Sequence, residues 1–207
     1  MVQSRRDVVP ELNRMRRLAH LISIIFNPVF VSTIVFPILI VTADGVMTQE
    51  RTVFLAIVIL FTSIVPLAHV AFLMRRGKVD SFDVDVRLKR LGPLAVGVAG
   101  YIAAFAGLSL LQAPAIVRGL MFCYAVNTLL VLLITRRWKV SIHATGISGP
   151  LVALSYHFGA ATVPLYLLIP IIGGARIVLR KHSVAQVAAG VAIGLALTAF
   201  QLHYLFL

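Results

Sequence analysis

Thr52-Val-Phe-Leu-Ala-Ile-Val-Ile-Leu-Phe-Thr-Ser-Ile-Val-Pro-Leu-Ala-His-Val-Ala-Phe-Leu-Met74 runs for 23 residues without a charged side chain. A helix needs about 20 apolar residues to cross the hydrocarbon of a bilayer. Apolar residues fall on every side of this segment rather than along one stripe, so it has no face suited to water. Arg51 closes it at one end and Arg75-Arg76 at the other, where cations belong at a membrane boundary.

The same pattern recurs at Leu18–Val41, Leu91–Leu111, Ile116–Thr135, His143–Phe158, Ala161–Leu179 and Ser183–Phe206. The fifth span, His143–Phe158, is short and holds Gly146, Gly149 and Pro150. It is expected to be tilted, re-entrant or broken, and six full spans plus a half-span is the alternative count. The expected fold class is therefore an all-α polytopic transmembrane bundle of six to seven membrane helices. Residues 1–17 would be a cytoplasmic N-terminal segment, and residues 18–207 a single bundle. Composition agrees: 60% of residues are hydrophobic and 13% charged, with a mean hydropathy of +0.99. Soluble chains sit nearer 45–50% apolar and about a quarter charged.

The net charge is +12. A nucleic-acid binder would carry such charge on a solvated domain, but here it lies in short runs between apolar stretches, so no nucleic-acid partner is expected. Segments 1–17, 75–90, 136–139 and 176–181 hold 17 of the 19 Lys and Arg residues, and the alternate segments hold only Arg51 and Arg118. The positive-inside rule places the first set in the cytoplasm, with the N-terminus inside and the C-terminus outside. The arginine-rich start, followed by an overlong apolar run, does not fit a cleaved signal peptide. All seven acidic residues lie outside the apolar spans, so no carboxylate relay at the membrane midplane is expected. Cys123 is the sole cysteine, which excludes an intrachain disulfide and a cysteine-based metal site. Gly190-Val-Ala-Ile-Gly194 has the small-xxx-small spacing that lets helix backbones approach closely. Packing inside the bundle is its first reading and a homodimer seam its second.

Three segments on the cationic side carry chemistry. In Asp80-Ser-Phe-Asp83-Val-Asp85-Val-Arg87-Leu-Lys89-Arg90-Leu-Gly-Pro93, Arg87 and Arg90 are spaced to share one helical face and clamp a phosphate. In Lys139-Val-Ser141-Ile-His143-Ala-Thr-Gly146, Ser141 is placed to cap a helix whose N-terminal N–H groups suit an anion. In Ala175-Arg176-Ile-Val-Leu-Arg180-Lys181-His182-Ser183-Val-Ala-Gln186, His182 and Gln186 lie at i,i+4, so the glutamine can fix one tautomer of the imidazole. His20, His69, His157 and His203 lack such settings and read as interfacial residues.

These segments resemble the type-2 phosphatidic acid phosphatase superfamily, the lipid phosphate phosphatases, over residues of about 80–195. The family's third motif, Ser-Arg-x5-His-x3-Asp, is matched in spacing by Ala175-Arg176, His182 and Gln186. Its second motif, Ser-Gly-His, corresponds to Ser141-Ile142-His143. Its first, Lys-x6-Arg-Pro, is met loosely by Arg90 and Pro93, with Asp83 where the lysine would stand. The whole looks like an atypical prokaryotic branch. The resemblance implies hydrolysis of a lipid phosphate or diphosphate through a phosphohistidine, with no metal and no cofactor. His182 would be the nucleophile, His143 the acid, and Arg176 the main phosphate ligand. Arg87, Arg90, Lys139, Ser141 and Gln186 would line the substrate. Polyprenyl diphosphate, phosphatidylglycerophosphate and phosphatidate are the expected substrates, in the membrane of a prokaryotic cell with the site on the cytoplasmic face. The alternative is a non-catalytic phospholipid-headgroup binder or lipid transporter on the same scaffold. Gln186 stands where the family has a carboxylate, and Asp83 or Asp85 is expected to supply the missing charge to His182.

Overall fold

The computed structural model describes residues 4–207, with side chains from Asn13 onward. The described residues form helices and no strand: α1 (Ser4–Ile25), α2 (Pro28–Val41), α3 (Thr48–Arg75), α4 (Leu88–Leu110), α5 (Ala115–Thr135) and α6 (Ile142–Phe158). Then come the 3-10 turns Gly159–Leu167, α7 (Leu168–Val178) and α8 (Val184–Leu205). The chain is an integral membrane helix bundle. Of the N-terminal segment 1–17, residues 1–3 lie outside the described residues, and the part from Ser4 is continuous with α1.

Leu18–Val41 does not form one straight span, because α1 and α2 meet at a 45° bend. Pro28 has no N–H to donate and disfavours helical backbone at the residue before it. Asn27 accordingly adopts an extended ψ of 138°, and its side chain accepts from the Val29 N–H to cap α2. Only when taken with α1, as one bent pair, is α2 long and apolar enough to count as a candidate span. Its first residue, Pro28, packs on Gly146 near the start of α6. Thr42, just past its end, bonds His157 near the end of α6 at 2.8 Å. The two helices therefore run side by side through the same depth, and the last turns of α1 stand at the level where α6 begins.

The fifth span is intact, not broken: α6 is one α-helix of 17 residues with Pro150 inside it. Its glycines serve close packing. A Cβ on Gly146 would stand 2.8 Å from Pro28, and one on Gly149 3.1 Å from Thr198 Oγ1. After α6 the chain reverses. Gly159 takes φ +66° and ψ −145°, a conformation that excludes a Cβ. Although residues from Ile142 to Val178 are helical almost without interruption, they make two passes. His143 and Arg176 both approach the carboxylate of Asp83, whereas a straight helix would part them by about 50 Å.

The core is formed by Phe36, Leu39, Ile40, Val58, Leu108, Leu120, Met121, Leu151, Ile172 and Leu202, all fully buried. Many large apolar residues, such as Leu110, Leu167 and Phe200, face outward, as a lipid-facing surface requires. The Gly190/Gly194 face lies inside the bundle. A Cβ at either glycine would come within 2.5 Å of α6 or its cap, at Ser141 O and Ser148 Cβ respectively. The small-residue seam is thus filled by α6 and not presented to a second copy.

Candidate active site

The loops expected on one side do meet at one end of the bundle. Arg87 donates to the Thr135 carbonyl at 2.8 Å and to the Arg136 carbonyl, tying the α3–α4 loop to the α5–α6 loop. Lys139 donates to the Lys181 carbonyl at 3.0 Å, tying that loop to the α7–α8 turn. Lys181 pairs with Asp85.

Arg176 lies at the centre and is fully buried. Its position is set by the end of α7, where Arg180 adopts a left-handed φ of 55°. Lys181 N–H and His182 N–H then both donate to the Arg176 carbonyl, at 3.0 and 3.4 Å. This is the closing turn of a helix C-terminus, usually built on glycine. Arg176 Nη1 donates to Asp83 Oδ2 at 2.7 Å and to Ser23 Oγ at 2.5 Å. Its Nε and Nη2 are buried without a hydrogen-bond partner among the described residues.

His182 follows that turn. Ser183 caps α8, and its N–H donates to Gln186 Oε1 at 3.3 Å. An N–H can only donate, so the oxygen of the glutamine amide is the atom that faces it. The same oxygen lies 3.1 Å from His182 Nδ1. Nδ1 therefore carries the proton, and Nε2 is left with a free lone pair. His182 Nε2 is buried and unpartnered among the described residues. Burial first, then the charges of Arg90, Lys139 and Arg176, push the imidazole pKa down to about 3. His182 is a neutral base in a cationic nest.

His143, the second residue of α6, presents Nε2 to the Ser23 carbonyl at 3.1 Å, to Ser23 Oγ at 3.4 Å and to Asp83 Oδ1 at 4.0 Å. Ser141 caps the helix through its side chain, which accepts from Ala144 N–H at 3.4 Å, and its own N–H donates to the Gln186 carbonyl at 3.1 Å. Burial works to raise the Asp83 pKa. The charge and hydrogen bond of Arg176, with the charges of His143 and Lys181, outweigh this and hold it below the usual carboxylate value. Burial and the neighbouring Arg90 lower Lys139 to about 8.

His182, His143, Arg176, Lys139, Ser141, Gln186 and Arg90 are thus brought to one end of the bundle. Arg90 is buried, with Nε donating to the Val84 carbonyl at 2.6 Å and Nη2 to the Asp83 carbonyl at 3.2 Å. It holds Val84 at φ +42°, an unusual conformation for a β-branched residue. Arg87 spends one terminal nitrogen, Nη1, on the Thr135 and Arg136 carbonyls. The expected charge support for His182 is corrected. Asp83 pairs with Arg176 and Asp85 with Lys181, and among the described residues His182 has only the amide of Gln186 as a side-chain partner. Ser23 had no signal in the sequence, being one serine in an apolar run.

Beside Ser23, Asp83 and Lys181 opens a cavity of about 660 Å³. Its polar residues, including Asp85 and Asn27, share it with Ile24, Phe30, Leu67, Phe82 and Leu179. An amphiphile is the kind of molecule such a wall suits. No protein-family model matches the chain, and neither a curated protein nor a solved structure does.

Proposed function

We propose that the protein is a membrane phosphatase that hydrolyses a lipid phosphate or diphosphate through a phosphohistidine on His182. The observation that carries this reading is a set of three buried nitrogen atoms with no partner among the described residues: Arg176 Nε, Arg176 Nη2 and His182 Nε2. Buried polar atoms are normally satisfied. Two guanidinium donors and one imidazole lone pair, with Lys139 and Arg90 near enough to act on His182, suit a phosphoryl group. Its oxygens would accept from Arg176, and its phosphorus would meet the lone pair.

The reaction has two steps. The Nε2 lone pair forms a bond to phosphorus while the phosphorus–oxygen bond to the lipid breaks. The electron pair leaves on the lipid oxygen, which takes a proton from His143. Water then attacks phosphorus and gives a proton to His143. The phosphorus–nitrogen bond breaks, its electron pair returns to Nε2, and inorganic phosphate departs. Throughout, Gln186 keeps Nδ1–H in place. The apolar part of the substrate would lie in the cavity toward Ile24, Phe30 and Leu67. The charge distribution supports a cytoplasmic site in a prokaryotic cell membrane.

The test is phosphate release by the purified protein from phosphatidate, phosphatidylglycerophosphate and a polyprenyl diphosphate. Release that is lost in His182→Ala is expected, with an acid-labile phosphoenzyme in the wild type. No release from any of the three would end the enzyme reading.

A second reading, a non-catalytic headgroup binder or lipid transporter, draws on the amide at Gln186. In serine-protease triads, exchanging the supporting carboxylate for an amide costs about 10⁴ in rate. This reading expects lipid-phosphate binding that survives His182→Ala and fails in Arg176→Ala.

A further inference from the structure

Among the described residues no ion pair joins Asp83 to His182, and its carboxylate stands beside the other histidine. Of the described carboxylates, it alone comes within ion-pair distance of His143, at 4.0 Å. The other charges that act on His143 are cationic, Arg176 and Arg90. The Ser23 carbonyl at 3.1 Å can only accept, so His143 Nε2 bears hydrogen. That leaves Nδ1 as the nitrogen able to exchange a proton with a substrate. An acceptor fixes one ring nitrogen, a carboxylate stands near it, and the opposite nitrogen is free for proton transfer: this is the division of labour in a histidine that works as acid and base. Asp83 is itself fixed from two sides, through Oδ2 by Arg176 Nη1 at 2.7 Å and through its carbonyl by Arg90 Nη2 at 3.2 Å.

We infer that Asp83 is the positioning residue for proton transfer, its carboxylate balancing the charge that His143 gains when water attacks the phosphohistidine. The inference rests on the phosphohistidine reading. It places the ionic support on the acid–base histidine, while the nucleophile is held by an amide. In the second step the water proton moves to His143 Nδ1, Nε2–H stays on the Ser23 carbonyl, and Asp83 faces the resulting imidazolium. In the first step that proton goes to the leaving oxygen, and the ring becomes neutral again.

The experiment compares the wild type with Asp83→Asn, His143→Ala and the double variant, in steady state on phosphatidate and in a burst assay on an aryl phosphate. An aryl oxide needs no proton to leave, so the burst reports a folded site and the first step alone. Asp83→Asn is expected to keep the burst, accumulate phosphoenzyme on His182 and lose about 10²-fold or more in turnover. Residues that act as one unit are non-additive, so the double variant should turn over within about threefold of His143→Ala. Asp83→Glu should recover part of the rate. Multiplying effects in the double variant, or a burst lost in step with turnover, would overturn the inference and leave the phosphatase reading standing. A wild type that forms no phosphoenzyme would remove both.

Discussion

The side-chain oxygen of Gln186 is 3.1 Å from His182 Nδ1, and it is the Ser183 N–H, 3.3 Å away, that makes this atom an oxygen and not a nitrogen. A helix cap thus decides the protonation pattern of His182. Replacing Gln186 by Glu keeps both acceptor contacts and adds the charge that an amide lacks. Turnover on a lipid phosphate is expected to rise by about tenfold or more, and Gln186→Leu to lower it by about 10²-fold or more. Unchanged turnover in both variants would show that the tautomer of His182 does not matter.

Stability should depend on pH through His182. In the unfolded chain its imidazole titrates near its ordinary value of 6.5, and burial among cations pushes it down to about 3 in the folded protein. Above about pH 6.5 both states are neutral and the folded state keeps its full advantage. As pH falls below that value the unfolded chain gains a proton that the folded site refuses, so stability is lost down to about pH 3. The loss is on the order of 1 kcal/mol per pH unit. Thermal midpoints at pH 7 and pH 5 should therefore differ more in the wild type than in His182→Asn.

Lys139 gives a second, opposite limb. Its pKa of about 8 means that raising pH through that value removes a cation from the ligand-free site. KM for a lipid phosphate should rise above pH 8 while kcat changes less. In Lys139→Met the KM should already be high and flat across the same range. A wild-type KM that does not move between pH 7 and 9 would exclude Lys139 from the phosphate site.

The glycines of α8 should be intolerant. Gly190→Ala would place a Cβ 2.5 Å from the Ser141 carbonyl, and Gly194→Ala one 2.5 Å from Ser148 Cβ and 2.9 Å from the Thr145 carbonyl. Overpacking of this kind costs about 1–3 kcal/mol. It would also pry α8 from the first turn of α6, separating Gln186 from Ser141. Gly174→Ala is the control, since nothing lies within 4 Å of its Cβ position. Melting curves and phosphate release should fall together in the first two variants and be unaffected in the third.

What the sequence made legible was local or periodic. The apolar runs marked the spans, the cation count brought three loops to one end, and the i,i+4 spacing of His182 and Gln186 foretold their hydrogen bond. The partners that cross the fold were not legible. Ser23 and Arg176 are separated by 153 residues, and one serine in an apolar helix carries no mark of its neighbour. Asp83 was recognised as an acid near the site, but loop length does not state which of two histidines its carboxylate will face. Arg87 and Arg90 had the spacing to share a face. In the structure backbone carbonyls of two turns converge there and take up guanidinium nitrogens that spacing alone offered to a phosphate. The break at Asn27–Pro28 was written in the proline, yet hydropathy alone runs straight through it.

The buried guanidinium of Arg176 also bears on how the chain is assembled. Synthesis proceeds from the N-terminus, so Ser23 and Asp83 both emerge before the residue that joins them. Until the reversal at Gly159 brings α7 back across the bilayer, Ser23 near the end of α1 and Asp83 in the α3–α4 loop lack this common partner. The last hairpin to insert is thus the one that locks the earlier helices together. A nascent chain stopped before Arg176 should be a loose, protease-sensitive intermediate, and completion of α7 and α8 should convert it in one step to the resistant form.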